Sequence, residues 1–319
     1  MAIAEFDDVR KILICPQSGY PLIKRGGYFV PNNDEINKSI EINYHIINGQ
    51  PVLVNYNNSI LNENSIIKRN GESIVVRKQS RFRNWIKSHL LRPDGNKITS
   101  EIAQEFVGKL KSKAKKPRLL IIGGGVKGIG TDIFYDDPDI QVISFDIYAS
   151  PLTQFIADAH QIPLETGSID GVWIQYVLEH VLEPWVVASE IDRILNYEGV
   201  VYSETPFLQQ VHEGAYDFVR FTHNGHRWLF RGFTEIKSGI SMGPGVQLLW
   251  TIEHCARGIF RSRVFGQIVK ISLFWLRYID KIIPSKYGFD NASSFYFFGY
   301  KSNNKINPKD MIKYYKGSL

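Results

Sequence analysis

The chain has 319 residues, of which 44% are hydrophobic, 13% aromatic and 22% charged, and its formal net charge is +6. This is the composition of a folded globular protein, which excludes an intrinsically disordered or collagen-like chain. The length suits one large domain with a smaller one, or two domains. The two cysteines, Cys15 and Cys255, are far apart in sequence, which excludes a disulfide framework and a four-cysteine zinc site.

The sequence also predicts where the protein is found. Residues 1–8 lack the basic start and apolar core of a signal peptide, and no apolar run reaches the roughly 20 residues that span a bilayer. We therefore expect a cytoplasmic protein. Basic residues cluster at 68–92 and 109–118, which suits an anionic partner, although a solvated linker and helix face is the simpler interpretation.

Residues 1–56 contain short apolar segments separated by Gly, Pro and Asn, a pattern that predicts a small β-rich module. Five residues of this segment match the order found in a zinc-ribbon-like domain: Leu13, Cys15, Pro16, Gly19 and Leu22. The segment resembles the small activating partner of several tRNA and protein methyltransferases. Metal-binding members use several cysteines, whereas here Ser18 stands where a second is expected, so the resemblance implies a metal-free module. A generic β-rich extension is the alternative.

Residues 57–116 are polar and basic and predict a helical linker. A first helix is expected around 81–91, where the apolar residues on one face are Phe82, Trp85, Ile86 and Leu90. A second helix is expected over Ser100–Lys111, with an apolar face formed by Ile102, Phe106, Val107 and Leu110.

From residue 117 onward, apolar segments of strand length alternate with helical patterns. Strands are predicted at 118–122, 141–145, 171–175 and 199–204. Such alternation predicts an α/β domain with an open, mostly parallel sheet covered on both faces. Ligands of these sheets bind outside the carboxyl ends of the strands.

The most informative segment follows the first of these strands. Residues 119–122 are apolar and lead into a glycine-rich turn that contains Gly123, Gly125 and Gly128. Eighteen residues after Gly128 the next strand ends in Asp146, an acid suited to the two hydroxyls of a ribose. The glycine-rich turn and Asp146 together predict a nucleoside-containing cofactor. By themselves they fit NAD as well as other cofactors that contain a nucleoside.

The segments that follow separate these cofactors. They are Ile156-Ala157-Asp158-Ala159-His160, Ile169-Asp170-Gly171-Val172 and Val177-Leu178-Glu179-His180-Val181. Residues 118–235 thereby resemble the class I S-adenosylmethionine-dependent methyltransferases of the "methyltransferase 11" group. The resemblance implies a Rossmann-like, seven-stranded sheet over 117–300, whose last strand at about 294–300 is antiparallel. The residue pattern beyond Phe233 predicts a cap at about 239–290, and the polar composition of 301–319 predicts a loose tail.

The same resemblance implies roles for individual residues. Gly123, Gly125 and Gly128 would pass beside the methionine part of S-adenosylmethionine, and Asp146 would hold its ribose. Asp158 and Ala159 would bind the adenine, and a loop from Gln175 to His180 would border the transferred methyl group. One departure is Ile121, which occupies the place of an acid that many members use to help position the cofactor. The glycine loop is also one residue longer than the common form.

The acceptor side is predicted at residues 204–222, where polar groups alternate with aromatic ones. The segment resembles one in methyltransferases associated with bacterial surface polysaccharides. His212 is a candidate base or orienting group for the acceptor. Asp217 and Arg220 are candidates for an ion pair that shapes the pocket, and Arg220 is also a candidate for binding an acidic sugar or phosphate.

The function predicted from these motifs is methyl transfer to a hydroxyl of a small molecule or a glycan precursor. Three alternatives stay open: an RNA or protein methyltransferase, a catalytically inactive cofactor-binding or scaffolding domain, and an NAD-dependent oxidoreductase. Residues 257–283 mix apolar and basic side chains, which fits either a helical cap over the site or a peripheral contact with the inner face of a membrane.

Overall fold

The computed structural model describes residues 2–39, 41–73 and 95–319. In chain order the strands are β1 (Leu22–Arg25), β2 (Tyr28–Pro31), β3 (Ile46–Ile47), β4 (Gln50–Leu53), β5 (Arg118–Ile122), β6 (Gln141–Asp146), β7 (Phe155–Ala157), β8 (Ile169–Gln175), β9 (Leu195–Pro206), β10 (Phe233–Met242) and β11 (Ser294–Lys301). The α-helices of these described ranges are α1 (Phe6–Arg10), α2 (Asp34–Ser39), α3 (Glu63–Lys68), α4 (Gly95–Lys111), α5 (Asp132–Asp136), α6 (Pro184–Ile194), α7 (His223–Leu229), α8 (Pro244–Phe260), α9 (Arg263–Ser272) and α10 (Ser285–Gly288).

The main sheet contains seven strands, the number that the resemblance implies, in the order β10-β11-β9-β8-β5-β6-β7. The strand β10 was not predicted from the sequence. β5 lies at its centre and pairs in parallel with both β6 and β8. β11 runs antiparallel to β9 and β10, as expected for the last strand. This arrangement confirms the Rossmann-like α/β fold.

Two strands of the N-terminal segment extend this sheet, so it has nine strands rather than the seven predicted. β4 pairs in parallel with β7 through Val52 with Ile156 and Leu53 with Ala157, and β3 follows at the edge. The side chain of Gln50 ties the strand down by donating to the backbone carbonyls of Ser150 and Thr153, both at 2.6 Å. β7 is the last strand of the seven-stranded part and is buried, so its outer backbone groups need hydrogen-bond partners. β4 supplies these partners.

The first residues of the chain cover one face of the sheet. Val9, Leu13 and Cys15 are buried in the same hydrophobic cluster as Leu120 and Ile122 of β5. Although a module separate from the sheet was expected over 1–56, this segment contributes both two strands and part of the core. The pairing that joins it to the sheet links residues about 100 positions apart, and local patterns do not reveal such a pairing.

Helix α4 covers the opposite face. Its predicted apolar face is buried, and the ring of Phe106 meets that of Trp173 edge-on with 5.4 Å between centroids. The helix begins at Gly95, five residues before the predicted start. It therefore packs as part of the sheet domain rather than as a linker. The helix predicted around 81–91 lies outside the described residues.

The segment predicted as a cap contains α8, α9, a 3₁₀-helix at Phe274–Lys281 and α10. Its predicted first residues, 239–242, belong instead to strand β10. The tail that follows is held in place rather than loose. Lys316 donates to the Glu235 carboxylate at 3.1 Å, and the Tyr315 hydroxyl donates to Asp290 at 2.6 Å. Within the described ranges, no helix has the length and hydropathy needed to cross a membrane.

Candidate active site

A cavity of about 580 Å³ lies at the carboxyl ends of the central strands. Seven of the residues predicted for the site line it: Gly123, Gly128, Asp146, Asp158, Ala159, Gln175 and His212. Since the sheet order is β9-β8-β5-β6-β7, the predicted cofactor residues lie on the β5–β7 side of the cavity, except Gln175 at the end of β8. The predicted acceptor residues, His212, Asp217 and Arg220, follow β9 on the other side.

The glycine loop is tightly packed where it leaves β5. Gly123 has φ +73°, and a Cβ there would lie 2.4 Å from Val177 Cγ2. A Cβ at Gly125 would lie 2.4 Å from the ring of Tyr148. Any side chain at these two positions therefore forces a neighbour to move, which explains why the turn needs glycine.

Asp146 is joined to this loop. Its Oδ2 accepts a hydrogen bond from the Gly125 N–H at 2.8 Å, and its Oδ1 accepts one from the Ile147 N–H at 2.7 Å. Gly125 is not among the residues that line the cavity, and it acts here by fixing the acid. The loop and the predicted ribose-binding carboxylate are thus positioned as one unit.

Asp158 follows β7 at the far end of the cofactor side. Its Oδ1 lies 2.6 Å from Nδ1 of His160, and its Oδ2 accepts a hydrogen bond from the Ser59 hydroxyl. Burial would raise the pKa of Asp158, but these hydrogen bonds hold it below its ordinary value. The carboxylate is therefore charged and oriented at the edge of the cavity.

Sequence reasoning did not predict that the N-terminal segment reaches this site. Besides the bond from Ser59, the side chains of Ile60, Leu61 and Ser73 line the cavity. No motif marks these residues, because only the pairing of β4 with β7 brings them to the carboxyl ends of the strands. The segment that extends the sheet also forms one wall of the predicted adenine end.

A buried carboxylate that sequence reasoning also missed lies two strands from the glycine loop. Glu204, at the end of β9, accepts hydrogen bonds from Gln175 Nε2 at 2.8 Å, the Tyr176 hydroxyl at 2.9 Å and the Tyr202 hydroxyl at 3.0 Å. Burial raises its pKa. Both Glu204 and Ile121 line the cavity, so this edge of the sheet carries an acid although Ile121 does not supply it.

The acceptor side gathers three ionisable side chains around one point. His180 Nε2 and His212 Nε2 lie 3.7 Å and 3.6 Å from the same oxygen, Oε1 of Glu179. Glu179 is fully buried, which raises its pKa to about 8, and burial lowers the pKa of His180. The sequence motif marked Glu179 and His180, but it did not indicate that His212, 32 positions further along the chain than His180, completes the group.

Asp217 and Arg220 support this group from behind and do not line the cavity. Asp217 accepts a hydrogen bond from the His212 N–H at 2.9 Å, and its Oδ2 lies 3.5 Å from His212 Nδ1. Although burial opposes it, the hydrogen bonds from Arg220 and His212 lower the pKa of Asp217 to about 2. Arg220 forms the ion pair considered from the sequence and also donates to the backbone carbonyls of Gln209 and Val219. Its guanidinium is thus engaged within the loop.

Comparison with protein-family models gives one match, to the family described as "Methyltransferase domain", over residues 99–203. The match runs from helix α4 into strand β9 and so includes the glycine loop, Asp146 and Asp158. No curated protein matches the sequence.

Solved structures similar to this chain include a SAM-dependent methyltransferase from Archaeoglobus fulgidus, with 12% identity, a TM-score of 0.43, and coverage of 70% of this chain and 100% of that one. Another is the Burkholderia thailandensis 1,6-didemethyltoxoflavin-N1-methyltransferase, with 12% identity, a TM-score of 0.41, and coverage of 72% and 93%. The [4+2]-cyclase SpnF is similar at 14% identity, a TM-score of 0.41, and coverage of 63% and 81%.

Proposed function

We propose that this chain, which carries a class I S-adenosylmethionine-dependent methyltransferase domain, methylates a hydroxyl group on a small molecule or a glycan precursor. The enzyme class and the cofactor follow from the family match over 99–203. The acceptor is the part that we propose. One observation supports it above all: an imidazole, His212, lies between two carboxylates on the side of the cavity away from the predicted cofactor residues.

The cofactor's orientation follows from the order of groups along the strand ends. We place the ribose hydroxyls at Asp146 and the adenine between Asp158, Ala159 and the wall formed by Ile60 and Leu61. The methionine part then lies beside Gly123 and points toward β8 and β9. In this orientation the sulfonium methyl group faces the acceptor side.

We propose that Glu204 helps to position the cofactor in place of the acid that many members carry where this chain has Ile121. The carboxylate is buried, is oriented by three neutral donors and lines the same cavity as Gly123 and Gly128. A carboxylate in this position can hold the ammonium group of the methionine part by a charge-assisted hydrogen bond. Cofactor binding is therefore expected despite Ile121.

The chemistry of the acceptor explains the need for His212. The sulfonium already activates the methyl group, so the protein mainly aligns the acceptor and helps remove its proton. A hydroxyl is poorly nucleophilic until its proton is accepted, whereas a neutral amine attacks without such help. His212 lines the cavity and has Nδ1 3.5 Å from Asp217 Oδ2 and Nε2 3.6 Å from Glu179 Oε1, so we assign that step to it.

A labelled-methyl assay tests this proposal. The protein is incubated with methyl-labelled S-adenosylmethionine and with cell extract separated into glycans, RNA, protein and small molecules. We expect label in the glycan or small-molecule fraction, and no transfer by His212→Ala although it binds the cofactor nearly as well as the wild type. Label in the RNA or protein fraction would favour the alternative acceptors, and unchanged turnover by His212→Ala would remove its assigned role.

The described contacts favour a small acceptor over RNA. Lys111 is engaged by Asp137 and Asp139, and Lys113 by Glu198, so part of the basic stretch before β5 is neutralised by surface ion pairs. RNA binding through the remaining basic groups would show a strong dependence on salt concentration. A catalytically inactive domain stays the non-enzymatic alternative, and it predicts cofactor binding without label transfer to any fraction.

We also propose that the cap touches an anionic membrane through residues 257–283. The exposed apolar side chains of this segment are Ile259, Phe260, Val264, Phe265, Ile268, Ile271, Phe274, Trp275, Tyr278 and Ile282. They are interspersed with Arg261 and Arg263, a combination typical of surfaces that lie on anionic lipid. We expect the protein to sediment with vesicles that contain an anionic lipid and not with neutral vesicles. The same amount of protein in the supernatant with both kinds of vesicle would contradict the proposal.

A further inference from the structure

We infer that Glu179, His180 and His212 form a binding site for one divalent transition-metal ion on the acceptor side of the cavity. One ligand atom from each residue, two imidazole nitrogens and a carboxylate oxygen, lies within 4.8 Å of the other two. The two nitrogens are 3.6 Å and 3.7 Å from the shared Glu179 oxygen. Ligands bound at about 2.0 to 2.1 Å to one tetrahedral ion are separated by slightly less than this, so small side-chain movements complete the site.

The outer nitrogens of both histidines are held in the way that metal ligands require. His180 Nδ1 lies 2.7 Å from the backbone carbonyl of Tyr216, and His212 Nδ1 lies 3.4 Å from the backbone carbonyl of Gln210 and 3.5 Å from the Asp217 carboxylate. A metal-bound histidine donates its other ring N–H to a carbonyl or carboxylate, which fixes the tautomer and aims the free lone pair at the ion. Both rings therefore direct Nε2 toward the same point.

The Glu179 carboxylate gives an independent reason for an ion. Both of its oxygens are buried and lack a hydrogen-bond partner within the described part of the chain. A buried carboxylate without hydrogen bonds is costly, and a coordinated cation compensates it directly. Arg220 does not serve this purpose, because its guanidinium pairs with Asp217.

The chemistry of the ligands indicates the class of ion. Two imidazoles with one carboxylate suit zinc and similar transition metals, whereas magnesium and calcium prefer oxygen ligands. Three protein ligands leave at least one coordination position open. His180 and His212 both line the cavity, so this position faces the space where the acceptor binds.

The ion would change how the acceptor is activated, a point that rests on the proposed hydroxyl methylation. The acceptor oxygen binds the open position, its O–H bond ionises and the proton passes to solvent water. The oxygen then forms a bond to the methyl carbon while the carbon–sulfur bond breaks, which leaves S-adenosylhomocysteine and a methyl ether. With the ion bound, His212 is a ligand, and the ion takes over the activation of the hydroxyl.

Zinc binding to the purified full chain tests the site. The protein, free of any affinity tag, is treated with a chelator and titrated with Zn²⁺ against a chromogenic competitor, and Co²⁺ is added in parallel to record its visible absorption. We expect one Zn²⁺ per chain, with roughly tenfold or more weaker binding in Glu179→Gln and in His212→Asn. Bound Co²⁺ is expected to show the strong visible bands of a low-coordinate site, which both variants lose.

His45→Asn is the matched control. His45 Nε2 also lies 3.7 Å from a glutamate oxygen, that of Glu63. Both side chains are exposed, however, and no third ligand from the described ranges adjoins them. We expect this variant to bind Zn²⁺ like the wild type. Retained binding of S-adenosylmethionine by every variant shows that it is folded.

Two results would overturn the inference. One is a wild type that takes up no stoichiometric Zn²⁺, and the other is Zn²⁺ affinity in Glu179→Gln and His212→Asn equal to that of the wild type. Zinc binding at this site without methylation of any hydroxyl would support the metal site and refute the proposed acceptor, so the two proposals fail separately.

Discussion

Replacement of Asp146 by alanine is expected to weaken binding of S-adenosylmethionine by about a hundredfold or more. The N–H groups of Gly125 and Ile147 donate to the two oxygens of Asp146 and hold the carboxylate at the end of β6. In the proposed complex each of the two ribose hydroxyls donates one hydrogen bond to this carboxylate. Each hydrogen bond to a charged acceptor contributes about 1.5 to 3 kcal/mol, so the loss of both costs about 3 kcal/mol at least, and about 1.4 kcal/mol is tenfold in affinity.

The measurement is a calorimetric titration with S-adenosylhomocysteine, which binds without turnover. Asp139→Ala is the control, because Asp139 lies just before the opposite end of β6 and makes a partly exposed ion pair with Lys111. We expect the control to bind with wild-type affinity. A change of less than about threefold for Asp146→Ala would refute the assignment of this carboxylate to the ribose.

Three further predictions concern other parts of the molecule. Glu204→Gln is expected to weaken cofactor binding by roughly tenfold or more, since a charge-assisted hydrogen bond becomes a neutral one. The control Glu198→Gln, on the exposed part of β9, is expected to bind the cofactor like the wild type. Equal cofactor affinities of the two variants in calorimetry would contradict the role of Glu204. Burial lowers the pKa of His226 from 6.5 to about 3. Below pH 6.5 the unfolded chain takes up a proton that the folded chain does not. The free energy of unfolding therefore has its full value above pH 6.5 and falls by up to about 1.4 kcal/mol per pH unit below it. Urea unfolding at pH 6 and pH 5 should therefore show a smaller loss of stability in His226→Gln than in the wild type, and identical losses would refute this explanation. Gln50→Ala is expected to lower the free energy of unfolding by about 1 to 3 kcal/mol, because it removes three hydrogen bonds between β4 and the Ser150–Thr153 segment. No loss in urea unfolding would show that β4 is secured by other contacts.

The sequence predicted the parts of this fold that depend on local patterns. Apolar runs located the central strands. The rule that parallel strands share a carboxyl edge then predicted that Gly123 lies near Asp146 and Asp158. The inward face of α4 followed from its helical periodicity, and Phe106 is buried as predicted.

The remaining features depend on contacts between distant segments. The pairing of β4 with β7, the bond from Ser59 to Asp158 and the approach of His212 to Glu179 each join residues about 30 to 100 positions apart. Their own sequences carry no sign of these partners, since a strand pattern specifies which residues are buried and not which strand it pairs with. Glu204 was missed for a related reason: a glutamate after an apolar strand also fits an exposed loop.

The identity of the methylated atom decides whether the methyl group goes to an oxygen, as we propose. The product formed with isotope-labelled S-adenosylmethionine and the acceptor fraction is purified, and the bond to the labelled carbon is identified by NMR. We expect an oxygen-bound methyl group formed by the wild type and not by His212→Ala. A methyl group on nitrogen or carbon, or equal product from His212→Ala, would contradict the proposed chemistry.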